Sequence, residues 1–434
     1  MNSRTEERIV LISVHGDPAI EVGKEEAGGQ NVYVRHVGEA LAKLGWKVDM
    51  FTRKVNAQQD DIVEHTENCR TIRLKAGPTD FVPRDDIFDY LPEFVDNLLK
   101  FQQENDFTYP LIHTNYWLSA WVGMQLKQIQ GSQQIHTYHS LGAVKYNTVN
   151  KVPLIANTRL EVEKNVLETA ERIVATSPQE EEHMRSWVSS EGQIDIIPCG
   201  TDIERFGGVD KAAARAKLRS KAQTVGNELK FSLDEEIVMY VGRFDRRKGI
   251  ETLVRAIRKS NLFNSPNLKL IIAGGSRPGQ SDGRERERIE NIVDELGMRQ
   301  VTCFPGRLSQ EDLPLYYAAA DVCVVPSHYE PFGLVAIEAM ASGTPVVASD
   351  VGGLQFTVVP EETGLLAPPK DVEAFCSAID RIISDSQWRD KLGQAGRKRV
   401  ETKFSWNGVA HQLSDLYTEI SNITPADAPS LIEK

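Results

Sequence analysis

One recurring order limits what this chain can become. A short apolar run is followed by a loop and then by a stretch with helical spacing, along nearly the whole sequence. Such runs read as strands buried on both faces, and strands alternating with helices imply a parallel sheet covered by helices. The first series places runs at 8–14, 47–52, 111–114, 134–139, 172–176 and 194–197, with a helical stretch at 30–44 that ends at Gly45, a good C-terminal cap. An Ala/Lys-rich stretch at 207–229 then reads as helix without a strand. A second series opens with Glu-Ile-Val-Met-Tyr-Val at 236–241 and continues at 269–273, 301–304, 321–326 and 345–348. Two series predict two Rossmann-like, doubly wound α/β domains, over 1–205 and 206–404, joined near 201–208. A terminal helix from about 405 to 434 is expected to pack back on the first domain. With 434 residues, both cores can form without disulfides or metals.

Charge narrows the function classes. Fifty Lys and Arg against 62 Asp and Glu leave a formal charge of −12, which argues against nucleic acid as a partner while permitting a local basic pocket. No apolar run reaches the roughly 18 residues of a membrane span, and the polar first residues lack a signal-peptide stretch. Five scattered cysteines (Cys69, Cys199, Cys303, Cys323, Cys376) show neither CxxC nor zinc spacing, so reduced thiols in cytosol and no structural metal are expected.

In open α/β sheets ligands bind beyond the carboxyl ends of the strands, and four loops there carry candidate chemistry. Ala27-Gly28-Gly29-Gln30-Asn31 follows the first strand and opens a helix; its amides suit a phosphate or a sugar oxyanion, or it is a plain glycine turn. It does not match GxGxxG, which disfavours a nicotinamide cofactor. Gly242 to Gly249 puts Arg243, Arg246, Arg247 and Lys248 where a loop enters a helix. Arg243 and Lys248 are the better candidates for neutralising a diphosphate, and Arg246 and Arg247 can be a solvated face. In Pro326 to Glu338, Glu330 precedes a helix that starts near Gly333, and Glu338 lies about five residues inside it, roughly 7–8 Å along the axis. Phosphate at the amides of Gly333 and Leu334, flanked by carboxylates that accept from hydroxyls, fits a ligand with phosphate in its middle and diols at both ends. Alternatively, Glu330 only favours the helix dipole. In Thr137 to Lys145, His139 can shuttle a proton, bond a hydroxyl or be structural.

Glu330-Pro331-Phe332-Gly333 through Glu338, continuing to Val347, resembles the E-x7-E region of retaining family-4 glycosyltransferases. Gly242-Arg243-Phe244 with Lys248-Gly249, Val351-Gly352-Gly353 and Thr363-Gly364-Leu365 resemble that family's other landmarks. In the first domain, Gly28 to Val34, His113 to Trp117 and His139 to Gly142 resemble sucrose-phosphate synthases and, to a lesser degree, sucrose synthases. The resemblance implies the glycosyltransferase B fold, two Rossmann-like domains facing a cleft. It implies UDP-glucose as donor and fructose 6-phosphate as acceptor, giving sucrose 6-phosphate and UDP with retention. The catalytic residues would be Arg243, Lys248, Glu330 and His139. Gly29, Phe332, Gly333, Leu334 and Glu338 would bind the donor, and Gln30, Arg84, Lys145 and Arg159 the acceptor. No DxD motif and no DxDxT phosphatase stretch occur. The donor is therefore expected to need no metal, with Mg²⁺ at most modulatory, and a separate sucrose-phosphate phosphatase to act downstream. Free fructose as acceptor, a non-catalytic sugar-nucleotide-binding regulator and a sugar-nucleotide epimerase stand as alternatives.

Overall fold

The computed structural model describes residues 8–20, 28–147, 152–225 and 234–421. Ala27 of the glycine loop, residues 226–229 of the Ala/Lys-rich stretch and residues 422–434 of the expected terminal helix lie outside them. The chain divides into two compact units, one made of the residues up to Cys199 and from Trp406 on, the other of Gly200–Ser405.

The first unit contains β1 (Arg8–Ile12), β2 (Lys47–Arg53), β3 (Ile62–Thr66), β4 (Cys69–Leu74), β5 (Leu111–Asn115), β6 (Gln133–Thr137), β7 (Arg172–Ala175) and β8 (Ile194–Ile196). They form one sheet in the order β3-β4-β2-β1-β5-β6-β7-β8, and only the β3–β4 pair is antiparallel. The chain builds outward from β1 through β2, then returns to β1's other side with β5. The reversal leaves a crevice at the carboxyl ends of β1 and β5. Burial follows from this layering: Ile9, Val10, Leu11 and Ile12 are all sealed from solvent, as a central strand covered on both faces requires. The helix Gly29–Lys43 follows β1 and gives way to Gly45 at φ 93°, the expected cap. The helix Trp406–Ser421 lies against it. Trp46 Nε1 donates to Ser414 Oγ at 2.9 Å, and Trp406 stacks on His36.

The second unit contains β9 (Glu236–Val241), β10 (Leu268–Ala273), β11 (Thr302–Gly306), β12 (Val322–Val325), β13 (Val346–Ser349) and β14 (Gly364–Ala367), all parallel in the order β11-β10-β9-β12-β13-β14. Its reversal falls between β9 and β12. Val238, Leu253, Leu270, Ile272, Val324, Phe375 and Ile379 belong to its core. Among the described residues no helix is long and apolar enough to cross a membrane, and all five cysteines are free thiols.

Both units are thus doubly wound parallel sheets, with three strands beyond those the apolar runs signalled. β3 is an edge strand whose residues are alternately exposed and half-buried, and β4 carries Arg70 and Arg73, whose guanidinium groups reach Asp49 and Asp17. Charge inside a strand hides it from a hydrophobic count. β14 has only four residues. The run at 134–139 ends as a strand at Thr137, because His139 turns into the left-handed region at φ 59°.

The second sheet is pinned at Asp321, just before β12. This buried carboxylate accepts from the Ile237 amide at 2.7 Å and Arg215 Nη2 at 2.8 Å, and pairs with Lys211 Nζ at 2.5 Å. Burial pushes its pKa up, but Lys211, the Ile237 amide and Arg215 hold it below the usual value. A depressed carboxylate stabilises above its unfolded pKa and loses that contribution as pH falls. Asp321→Asn strands a buried guanidinium, so we expect a loss of about 3–5 kcal/mol in denaturant or thermal unfolding at neutral pH. The difference from the parent chain should shrink on acidification.

Candidate active site

Each unit carries candidate site residues at its own strand reversal. In the second unit the loops after β9 and β12 interlock. Gly249 has φ 66°, and a Cβ there would stand 1.9 Å from the Pro326 carbonyl oxygen. A Cβ on Gly353 would stand 2.3 Å from the Pro331 carbonyl oxygen, and the Gly353 amide donates to the Glu330 carbonyl at 3.0 Å. Only glycine permits either approach. The His328 amide completes the lock by donating to the Arg247 carbonyl at 2.7 Å.

This packing brings Lys248 to Glu330, with Nζ 2.6 Å from Oε2. The ammonium has further donors to offer, and it faces solvent in part. Arg243 pairs with no carboxylate among the described residues. Its carbonyl accepts from the Tyr240 hydroxyl at 3.1 Å, which fixes the backbone rather than the guanidinium. Asp245 instead takes Arg247, at 2.6 Å from Nη2. Burial would raise this carboxyl, but the bonds from Arg247 bring it down to about 2. Arg246 points outward toward Glu285 at 3.5 Å. Within this loop Arg246 and Arg247 pair with Glu285 and Asp245, Lys248 pairs with Glu330, and Arg243 pairs with no carboxylate among the described residues.

The helix Leu334–Ala341 begins at Gly333, and the amides of Gly333 and Leu334 donate to nothing among the described residues. They form an anion-binding end of the kind a helix start supplies. The ring of Phe332, expected among the donor-binding residues, is buried and edge-on to Phe404 with centroids 5.7 Å apart. Glu338, on the helix, accepts from the Tyr317 hydroxyl at 2.8 Å. Burial pushes its carboxyl up to about 7, against the Tyr317 bond and the Arg205 charge.

In the first unit, Gly29 opens the helix after β1, and the Gly28 amide is held by Asn31 Oδ1 at 3.1 Å. Gln30 Nε2 donates to Ser13 Oγ at 2.9 Å and to the Asn115 carbonyl at 3.3 Å, tying the β1 loop to the end of β5. His139 Nε2 lies 2.9 Å from Asn115 Oδ1. The Asn115 amide is oriented by its own Nδ2 bond to the His113 carbonyl, so His139 carries its hydrogen on Nε2 and leaves Nδ1 bare. Burial lowers the His139 pKa to about 3. The imidazole is therefore neutral, a hydrogen-bonding group and not a proton store.

Two bulky residues here hold unusual backbone. His139 sits at φ 59°, and Tyr116 at φ 74° and ψ 157°, a region that residues with a Cβ seldom adopt. Tyr116 is over-determined by its neighbours. Its hydroxyl accepts from Arg159 Nη1 at 3.1 Å, the His15 ring lies 4.5 Å away, and Arg84 lies over its face at 5.6 Å. The three cations expected to take a phosphorylated acceptor thus collect around Tyr116 and Tyr146, with Lys145 5.8 Å from the Tyr146 centroid. They are not alike. Arg84 is exposed, Lys145 is half-buried, and Arg159 is buried with its donors spent on Glu163, Tyr116 and Ser140. Glu163 in turn accepts the Gly142 amide at 2.8 Å. Arg159, expected to bind the acceptor, thus has its donors on Glu163, Tyr116 and Ser140 and braces the loop from Ser140 to Gly142. Sequence reasoning missed His15, Asn115 and Tyr116 as site residues. Asn115 and Tyr116 lie in the stretch His113 to Trp117 that carries the resemblance, but had no role assigned there, and His15 is marked only by its place just after β1. Among the described residues no group of three or more His, Cys, Asp or Glu could hold a metal.

Comparison with known proteins agrees with this layout. Residues 28–200 match a glycosyl transferase 4-like domain, and residues 223–399 match the glycosyl transferases group 1 model. A D-inositol 3-phosphate glycosyltransferase of Corynebacterium urealyticum is 32% identical over 98% of both chains. That of Corynebacterium glutamicum is 34% identical over 95% of this chain and 96% of its own. Among solved structures, a sucrose-phosphate synthase from Thermosynechococcus elongatus superposes with TM-score 0.85 at 53% identity, covering 95% of this chain and 99% of that one. Anabaena HepE in complex with UDP shares the fold, at TM-score 0.74 and 19% identity over 95% and 100% of the two chains. The chain therefore belongs to the family-4 glycosyltransferases, a glycosyl transferase 4-like domain joined to a group 1 domain on the glycosyltransferase B fold.

Proposed function

We propose that this glycosyltransferase is a sucrose-phosphate synthase, moving glucose from UDP-glucose to fructose 6-phosphate with the α configuration retained. The observation that carries the reading is the 53% identity to a sucrose-phosphate synthase across 95% of the chain. The cations gathered around Tyr116 add chemical support, since an acceptor phosphate needs them. A second reading has its own support: the curated relatives at 32% and 34% identity act, by name, on D-inositol 3-phosphate, which also bears a phosphate.

In the proposed reaction Glu338 accepts from the ribose diol and Glu330 from glucosyl hydroxyls. The diphosphate lies against Arg243, Lys248, Gly29 and the free amides of Gly333 and Leu334. As the anomeric bond breaks, negative charge grows on the departing phosphate, and fixed cations and amides there lower the barrier without a metal. Lys248 is kept in place by Glu330, so it need not be recruited from solvent. His139, neutral, bonds a glucosyl hydroxyl. Gln30, Arg84 and Lys145 take the acceptor, and Arg159 shapes the loop beside them. The acceptor hydroxyl attacks from the face the phosphate leaves, and the phosphate oxygen takes its proton.

Incubation of UDP-glucose with fructose 6-phosphate, fructose or D-inositol 3-phosphate, with and without EDTA, checks substrate and metal together. We expect UDP release with fructose 6-phosphate to exceed that with fructose by about 10²-fold or more, because the neutral sugar has no phosphate to meet those cations. EDTA should leave it intact. Preference for D-inositol 3-phosphate would replace the first reading with the second. Lys145→Ala should raise the fructose 6-phosphate KM by about tenfold or more and leave that of UDP-glucose within about twofold. Arg159→Ala should do the same and also lower Tm, because Glu163 loses its buried partner. Equal losses for both substrates would refute the acceptor assignment. Lys248→Ala should lower kcat by about 10²–10³-fold, read in steady-state kinetics at saturating donor.

A further inference from the structure

Tyr317 stands apart from every role given above, yet its one polar atom touches the donor half-site. It lies on the helix Leu313–Ala319, sealed from solvent. Its ring is edge-on to Phe206 at 5.8 Å, and its carbonyl accepts from Thr344 Oγ1 at 2.7 Å, so both ends of the residue are fixed. Its hydroxyl donates to Glu338 Oε2 at 2.8 Å. Glu338 Oε1 has no partner among the described residues. A carboxylate held through one oxygen by a rigid donor has its plane set and its other oxygen free. That is the arrangement a vicinal diol needs from a single acceptor group.

We propose that Tyr317 is a positioning residue for donor recognition: it aims the Glu338 carboxylate at the ribose diol. The inference rests on the reading of Glu338 as the diol acceptor. Recognition of the diol then depends on the charge of Glu338. Burial places this carboxyl near neutrality, at about 7, and the Tyr317 bond pulls it down. Other groups face it too. Arg205, on the helix Ile203–Gly207, also pulls it down, while its guanidinium donates to Gln310. Cys323 on β12 is a thiol whose pKa burial pushes up, so it stays neutral. From the helix Ser386–Lys403, Arg397 approaches Gly207 and pairs with Glu401 at 2.9 Å. β13 and the helix Leu354–Thr357 hold no titratable side chain.

The sign follows. Ionised Glu338 accepts both diol hydrogens, and protonated Glu338 accepts fewer, so diol recognition weakens as pH falls through about 7. Removing the Tyr317 hydroxyl raises the Glu338 pKa further and moves that transition to higher pH.

The test is binding of UDP and of 2′-deoxy-UDP, by calorimetry from about pH 6 to 9, to the full chain, to Tyr317→Phe and to Glu338→Gln. The ratio of the two affinities cancels the titration of the diphosphate, and Phe keeps the ring packing. In the parent chain the preference for UDP should grow with rising pH. Tyr317→Phe should cut that preference by about tenfold at neutral pH and shift its transition upward. Glu338→Gln should flatten it at all pH values. A Tyr317→Phe preference and transition unchanged from the parent, with Glu338→Gln flat, would overturn the role of Tyr317 alone. A preference that survives Glu338→Gln would overturn the reading of Glu338 as well. A parent preference independent of pH, which needs no variant to observe, would also overturn the proposal.

Discussion

Close backbone approach at the strand reversal of the second unit is the constraint on which the donor half-site depends. Two glycines let the Pro326 and Pro331 carbonyls come within a distance that no Cβ survives. Without those approaches the loops after β9 and β13 could not both pack against the β12 loop. Lys248 would then lie away from Glu330, although the two are 82 positions apart in sequence and 2.6 Å apart in space. The family's charged residues are thus arranged by residues that carry no charge. A cation on a flexible loop gains little beside a diphosphate, because it must be ordered first. One already seated against a carboxylate has that cost behind it.

The candidate site of the first unit reaches rigidity by another route. Tyr116 and His139 occupy backbone regions that cost on the order of 1–3 kcal/mol each, and the surroundings hold them there. The Arg159–Glu163 pair is central to that support. It is fully buried, hydrogen-bonded at every donor found, and joined to the Ser140–Gly142 loop from below. A buried pair of this kind adds little net stability over an apolar substitute, but loss of one member is costly. Its contribution here is geometric: it fixes where Tyr116 lies, and with it the surface over which Arg84 and Lys145 collect.

What the sequence revealed and what it hid separate along physical lines. Apolar runs and helical spacing report burial, and burial alone marks β1, β9 or β12 as strands between helices. Strands that carry charge into the sheet, such as β4 with Arg70 and Arg73, escape that signal because their polar groups are satisfied by partners far along the chain. The site divides the same way. Arg243, Lys248 and Glu330 stand out by residue type in the loops after β9 and β12, and Glu338 on the helix that follows. Tyr116, Asn115 and His15 do not, because nothing in their identity announces a positive φ or a hydrogen bond to a histidine 24 positions away. Arg159 drew notice as a cation, but its engagement with Glu163 depends on burial, which one residue type cannot report.

Charge state completes the contrast between the two halves. His139 and His15 have their pKa values lowered chiefly by burial, and the nearby cations push His15 lower still. The first unit can therefore crowd Arg84, Lys145 and two imidazoles without a further positive charge. In the donor half-site burial acts on a carboxylate instead and raises Glu338 toward neutrality, so its ionisation becomes sensitive to a single hydroxyl. The same physical cause, removal from water, silences titration in one half-site and exposes it in the other. Any pH dependence of sugar-nucleotide recognition should accordingly arise at Glu338 and not at the histidines.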